Sequence, residues 1–329
     1  MDERLNILSR WVEGILGAPV RMEPASADAS FRRYFRVFCD GTHTYIAMDA
    51  PPERESVETF ARTAGQFKQL GLNVPLVFTM DKSQGFALLS DLGTRTYLQA
   101  INNDSAERLY GDALDALWRL QTGSRDRLAT FERYDSDKLM EEMELFREWF
   151  VPHRTSYKLS DADHDTIDQV FRTLTDQALE QPLVWVHRDY HSRNLMVTDS
   201  DNPGVLDFQD AVTGPVTYDL VSLLRDCYIA WPAERVERWL KAYFDRIRPV
   251  VVPENTGFEQ FRRWFDWMGV QRHIKVLGIF SRLFHRDGKT NYLDDLPLVY
   301  DYVHTVCREY PELRPFSTLL ESMEIRWTS

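Results

Sequence analysis

The sequence predicts an α+β chain in two parts, a small sheet-rich N-terminal lobe over residues 1–92 and a larger helical lobe over 93–329. Three observations predict it. Short runs of β-branched and aromatic residues crowd between residues 20 and 92, and apolar residues then recur at i+3 and i+4 through most of the remainder. One polar stretch, VWVHRDYHSRNLMV at 184–197, interrupts that helical texture between two apolar runs. At 329 residues the chain is long enough for two cores.

The elements follow in order. Leu5, Leu8, Trp11, Val12, Ile15 and Leu16 share one helical face, and Gly17 ends that helix. FRRYFRVF (31–38) and THTYIAM (42–48) flank Cys39-Asp40-Gly41, a hairpin signal between two strands. Val57, Phe60, Ala61, Ala64 and Phe67 mark a second helix, closed at Gly71. VPLVFT and GFALLS supply two more strands around a turn at Asp81, so one helix packs on a small sheet. Beyond Gly93 the pattern turns helical: from a capping box at Asp104 and Glu107, then over 138–150, over 164–180 until Pro182, and over 219–329.

Composition removes several classes of function. A hydrophobic fraction of 43% excludes global disorder. The net charge of −12 argues against a constitutive binder of nucleic acid or anionic membrane, because phosphate contacts need clustered cations. An anionic ligand would need a local basic pocket. Cys39, Cys227 and Cys307 lie far apart with no C-x-x-C pair, so neither a disulfide framework nor a thiolate zinc site is expected. The charged amphipathic start does not read as a signal peptide, and no run approaches the about 18 apolar residues of a membrane span. The expectation is a cytoplasmic monomer with no nucleic-acid or membrane partner.

The polar stretch admits two chemistries. His187-x-Asp189-x-His191 has the alternation of a metal-ligand cluster, whereas His187-x-Asp189 followed by Asn194 has the spacing of a phosphoryl-transfer loop. Thirteen residues after Asn194, Asp207 follows the apolar pair Val205-Leu206 in GVLDFQDA, which brings its carboxylate out at the end of a buried strand. Phosphoryl transfer requires a carboxylate to orient and deprotonate the attacking hydroxyl, and oxygen ligands that hold Mg²⁺ against nucleotide phosphates. Asp189 fits the first role, and Asn194 with Asp207 the second. His187 then reads as structural, hydrogen-bonding backbone nearby.

H-x-D-x-x-x-x-N followed by L-D-F resembles the catalytic loop and metal-binding aspartate of the protein-kinase-like superfamily, in the form found in the aminoglycoside phosphotransferase and choline kinase family of small-molecule kinases. The likeness runs from about residue 20 to 310 and is most specific over 187–219. It implies a two-lobed kinase-like fold, ATP and Mg²⁺ as cofactors, Asp189 as catalytic base, and Asn194 and Asp207 as metal ligands. LLSDLG (88–93) resembles the hinge of that family, which implies that Leu89, Ser90, Asp91 and Leu92 meet the adenine. GPVTYDLVSLLRD (214–226) resembles the segment whose aspartate, here Asp219, braces the catalytic loop.

More narrowly, DASFRRYFRV, YIAMDAPPE, FQDAVTGPVTYDLVSLLRDCY and QRHIKVLGIFSRL resemble bacterial anomeric sugar kinases that phosphorylate N-acetylmuramate and N-acetylglucosamine at C1 in peptidoglycan recycling. That implies a small amino-sugar substrate, with Arg225, Arg272 and His273 for the sugar or its carboxylate. The sequence also departs from the family. ASADASFRR contains no glycine, and Met48 or Asp49 stands where a strand lysine is expected. Arg32 or Arg33, beside Ser30 in the turn, is then the expected cation at the ATP phosphates, and Glu55 and Glu58 read as solvated. The alternatives are an aminoglycoside or amino-alcohol kinase on the same fold, and a nucleotide-binding interaction module without turnover.

Overall fold

A computed structural model describes residues 2–25, 31–39 and 43–327. Asp2 accepts from the Leu5 amide to cap α1 (Glu3–Leu16), and Gly17 closes that helix in the left-handed region. Strands β1 (Arg21–Pro24), β2 (Arg33–Phe38) and β3 (Thr44–Asp49) precede α2 (Val57–Gln69). β4 (Val77–Asp81) and β5 (Phe86–Ser90) lead to α3 (Tyr97–Ala100) and α4 (Ala106–Gly123). Next come α5 (Ser136–Leu145), a wider turn over Phe146–Phe150, α6 (Val151–Arg154) and α7 (Asp161–Leu179). Four short strands follow: β6 (Leu183–Val186), β7 (Leu195–Met196), β8 (Gly204–Val205) and β9 (Val212–Pro215). The last helices are α8 (Tyr218–Leu224), α9 (Ala233–Ile247), α10 (Phe258–Asp287), α11 (Leu296–Glu309) and α12 (Arg314–Ser322).

The chain divides into two compact units, one of residues 1–116 and 193–210, the other of 117–192 and 211–329. The α+β class expected from the sequence is the class observed. The first unit runs past residue 92 because its later segments pair with one another. Thr96 bridges Met196, Asn73 bridges Gly204, and the Val197 amide donates to the Arg95 carbonyl at 2.8 Å.

In the first unit a five-stranded antiparallel sheet runs in the order β1-β2-β3-β5-β4. Alternation along its strands sorts side chains to two faces. Phe35, Val37, Ala47, Phe86 and Leu88 pack against Leu8 and Val12 of α1. Tyr34, Arg36, Ile46 and Leu89, one residue out of step, face away from α1 and line a cavity. The predicted hairpin is present as β2 and β3, paired from Arg33↔Asp49 to Phe38↔Thr44. Its turn at 40–42 lies outside the described residues.

In the second unit β6 pairs antiparallel with β9, and β6 is apolar throughout because both of its faces are covered. α10 forms the axis: Trp267, Val270, Ile274 and Leu277 join Phe146, Phe150, Ile167 and Phe171 in one core. α5 and α10 touch through Gly278, where a Cβ would fall 2.3 Å from the Leu145 carbonyl carbon. Only a residue without a side chain permits that approach.

Candidate active site

The cavity in the first unit has a volume of about 270 Å³. Leu89, Ser90, Asp91 and Leu92 all line it, as the hinge resemblance implies, and Phe60 of α2 closes another side. Two of the four side chains are committed within the protein. Ser90 Oγ accepts from the Leu76 amide at 2.8 Å. The Asp91 carboxylate takes Arg36 Nε at 2.6 Å, Thr44 Oγ1 at 2.7 Å and the Gly93 amide at 2.9 Å. Burial opposes its ionisation, but these donors outweigh it and hold the carboxyl below its ordinary value. Leu89 and Leu92 thus offer apolar surface, and Asp91 stiffens the segment between them.

The two arginines expected at the phosphates separate. Arg33 pairs across the sheet with Asp49, donating Nε to its carboxylate at 3.0 Å, and its guanidinium also meets Asp2 at the start of α1. Alternation therefore places Arg33 on the α1 face, opposite the cavity, which corrects the expectation for that residue. Asp49 is on the same face, bonded to Arg4 of α1 at 2.6 Å, so Met48 and not Asp49 shares the face of Ile46. Arg32 is different. Its guanidinium lies 3.5 Å from Glu55, 4.0 Å from Asp207 and 3.9 Å from Asp210. Glu55, expected to be solvated, instead meets Arg32, while Glu58 pairs at the surface with Lys82. Ser30 lies outside the described residues.

Asn194 and Asp207 both sit on the cavity wall. The Asn194 carbonyl accepts from the Leu206 amide at 2.9 Å, and the two side chains stand 3.5 Å apart. Phe208 explains the placement: fully buried, its ring packs on Phe60 at 4.9 Å and Phe67 at 5.7 Å, anchoring the chain beside Asp207. Asp207 itself has φ 59°, in the left-handed region that a residue with a Cβ seldom adopts. Two oxygen-bearing side chains on one wall match the preference of a hard divalent cation such as Mg²⁺.

Asp189 belongs to the second unit. Burial opposes its charge, yet Lys275, His191, Arg188 and Arg272 more than offset this and keep the carboxyl below its ordinary value. The loop around it is held from α8. One oxygen of Asp219 accepts from the His187 amide at 2.7 Å and the other from the Arg188 amide at 3.0 Å. Burial raises the Asp219 carboxyl to about 6, a rise that His187 and these two amides limit. His187 Nδ1 in turn accepts from the Asp189 amide at 3.2 Å. Among the described residues no three His, Cys, Asp or Glu side chains form a metal-holding group, so the His187/Asp189/His191 cluster has no geometric support.

The three residues expected at the acceptor also separate. Arg225 donates to Asp266 at 2.6 Å and lies over the Phe265 ring. His273 is stacked on Tyr302 and bonded through Nε2 to the Arg225 carbonyl at 2.9 Å. Burial pushes its pKa well down, so the ring is neutral. Arg272 is 3% exposed and donates to the Cys227 thiol at 3.3 Å. Residues not singled out from the sequence complete the surroundings of Asp189: Glu142 on α5 and Lys275 on α10, whose Nζ lies 3.0 Å from Glu142. Nothing local marked them, because α5 and α10 are more than 100 residues apart in the chain.

Residues 21–253 match the phosphotransferase enzyme family. The chain belongs to that family. An N-acetylmuramate/N-acetylglucosamine kinase of Pseudomonas putida is 45% identical over 327 residues, covering 98% of this chain and 94% of that protein. A kinase of the same name from Neisseria meningitidis is 43% identical over 301 residues, covering 90% and 88%. Among solved structures, a choline kinase from Streptococcus pneumoniae overlays with TM-score 0.63 at 12% identity, covering 92% of this chain and 99% of that one. An ADP-bound aminoglycoside phosphotransferase gives TM-score 0.56 at 14% identity, covering 92% and 99%. These last two share the fold. This phosphotransferase is thus a kinase with an alcohol acceptor, and among its described residues no helix is long and apolar enough to cross a membrane.

Proposed function

We propose that this phosphotransferase transfers the γ-phosphoryl group of ATP to the anomeric hydroxyl of N-acetylmuramate or N-acetylglucosamine. The observation that carries the reading is the 45% identity, over nearly the whole chain, to a protein named as a kinase of those two sugars. The adenine would rest on Leu89 and Leu92, which line the cavity. Asn194 and Asp207 would hold Mg²⁺, which when bound neutralises charge on the nucleotide phosphates. Arg32, close to Asp207, is the cation in place of the strand lysine. Asp189, kept ionised by its cationic neighbours, orients the acceptor hydroxyl and receives its proton. The protein is read as a cytoplasmic monomer.

ATP consumption by the purified protein with Mg²⁺ tests this, using both sugars, kanamycin and choline as acceptors. Sugar-dependent turnover that falls about 10²- to 10⁴-fold in a folded Asp189→Asn variant is expected. Turnover of kanamycin or choline alone would overturn the acceptor, and wild-type turnover in Asp189→Asn would overturn the base.

A further inference from the structure

Arg188, the residue before Asp189, has φ 77°, a left-handed backbone in a residue that carries a Cβ. Such a conformation persists only where the surroundings over-determine it. Here they do so from three helices. The amides of His187 and Arg188 are pinned by Asp219 on α8. The guanidinium of Arg188 crosses the Tyr134 ring, 5.7 Å from its centroid, and forms an ion pair with Glu142 on α5. Glu142 is fixed in turn, receiving the Tyr134 hydroxyl and, from α10, Lys275 Nζ at 3.0 Å. Lys275 also donates to the Tyr218 hydroxyl at 3.1 Å, which returns the network to α8.

We propose that Glu142 is a positioning residue for phosphoryl transfer: by holding the Arg188 guanidinium it maintains the left-handed bend that presents Asp189 to the acceptor hydroxyl. The inference rests on the reading of Asp189 as the group that meets that hydroxyl. A partly buried ion pair is weak evidence for stability, since desolvation offsets much of its attraction. One attached to a strained residue beside the candidate base has a more specific use. Without Glu142 the guanidinium would lose its ion pair with α5, and the peptide between Arg188 and Asp189 could rotate toward the ordinary right-handed region. Glu142 stays ionised in this site. Burial disfavours its charge, but Lys275, Arg188 and the Tyr134 hydroxyl together hold its pKa below the ordinary value.

Glu142→Gln, Arg188→Met and the double variant would be compared with Asp189→Asn for melting temperature, kcat and KM, with N-acetylglucosamine as acceptor. A displacement of about 1 Å in a reacting group lowers turnover on the order of 10²-fold, and that loss of kcat is expected in each single variant. KM for ATP should stay within about twofold, because the nucleotide cavity is lined entirely by the first unit. The double variant should turn over no more slowly than the slower single variant, since both act through one contact. Multiplying losses would overturn the proposal. So would a folded Arg188→Met protein with kcat within about threefold of wild type while Asp189→Asn is inactive. If Glu142→Gln fails to fold, Arg188→Met still decides, because there Glu142 keeps Lys275 and Tyr134 as partners. Full turnover in Asp189→Asn would remove the reading of Asp189 itself and the proposal with it.

Discussion

Replacing Gly278 by alanine should destabilise the second unit and slow the enzyme together. An ideal Cβ at 278 would stand 2.3 Å from the carbonyl carbon of Leu145 and 2.5 Å from both its Cβ and its carbonyl oxygen. Carbon atoms rest at about 3.5–4.0 Å, so α5 and α10 must part by more than about 1 Å. Overpacking of this kind costs about 1–3 kcal/mol and occasionally more, and a backbone atom has no rotamer into which to retreat. Alanine recovers about 1 kcal/mol over glycine in helix propensity. The net loss should reach about 2 kcal/mol at the upper end of that range, which for a domain of about 150–250 residues lowers Tm by up to about 4–8 °C. Glu142 and Lys275 each lie three residues before the contact, on α5 and α10, and are 3.0 Å apart, so the same displacement lengthens that pair and kcat should fall. Thermal unfolding followed by circular dichroism is the assay, with Gly65→Ala of α2 as control. Nothing lies within 4 Å of a Cβ at Gly65, and Tm should rise slightly. A Gly278→Ala protein that melts at or above the wild-type temperature while the control behaves would refute the reasoning.

Arg272→Met should separate the two sugars. Among the described residues no carboxylate forms an ion pair with this buried guanidinium, and N-acetylmuramate carries the carboxylate that N-acetylglucosamine lacks. Arg272 also helps to hold Asp189 ionised, so turnover of both sugars should fall, but a charge-assisted hydrogen bond of about 1.5–3 kcal/mol predicts a further loss in kcat/KM of about 10- to 150-fold for N-acetylmuramate, and equal losses on both sugars would count against it. Arg32→Ala should raise KM for ATP about tenfold or more, whereas Arg33→Ala, on the α1 face, should lower Tm and leave KM for ATP unchanged; the reverse pattern would sink the assignment of the phosphate cation. The pH dependence of stability should carry the mark of Asp219. Its folded pKa, about 6, lies above the ordinary 3.8, so the associated stability is fully present below 3.8 and is lost as pH rises through about 6. Denaturation midpoints of wild type and Asp219→Asn should therefore diverge between those two pH values, with wild type alone losing this increment, and a constant difference would rule the shift out.

Local pattern in the sequence determined much of this protein. The period-2 runs of β2 and β3, the helical face of Leu8 and Val12, and the terminating Gly17 are short-range signals, and each element formed where its pattern lies. His187, Asp189, Asn194 and Asp207 were legible as a set because they fall within 21 residues at motif spacing. Tertiary structure decided the rest. Arg32 and Arg33 are neighbours of identical chemistry, and only the pairing of Arg33 with Asp49 on the α1 side leaves Arg32 as the one beside Glu55 and Asp207. Arg225, Arg272 and His273 looked equivalent until Asp266, Cys227 and the Arg225 carbonyl claimed them differently. Glu142, Lys275 and Gly278 gave no local sign, for their meaning depends on how closely α5 approaches α10, a distance set by packing between segments remote in the chain.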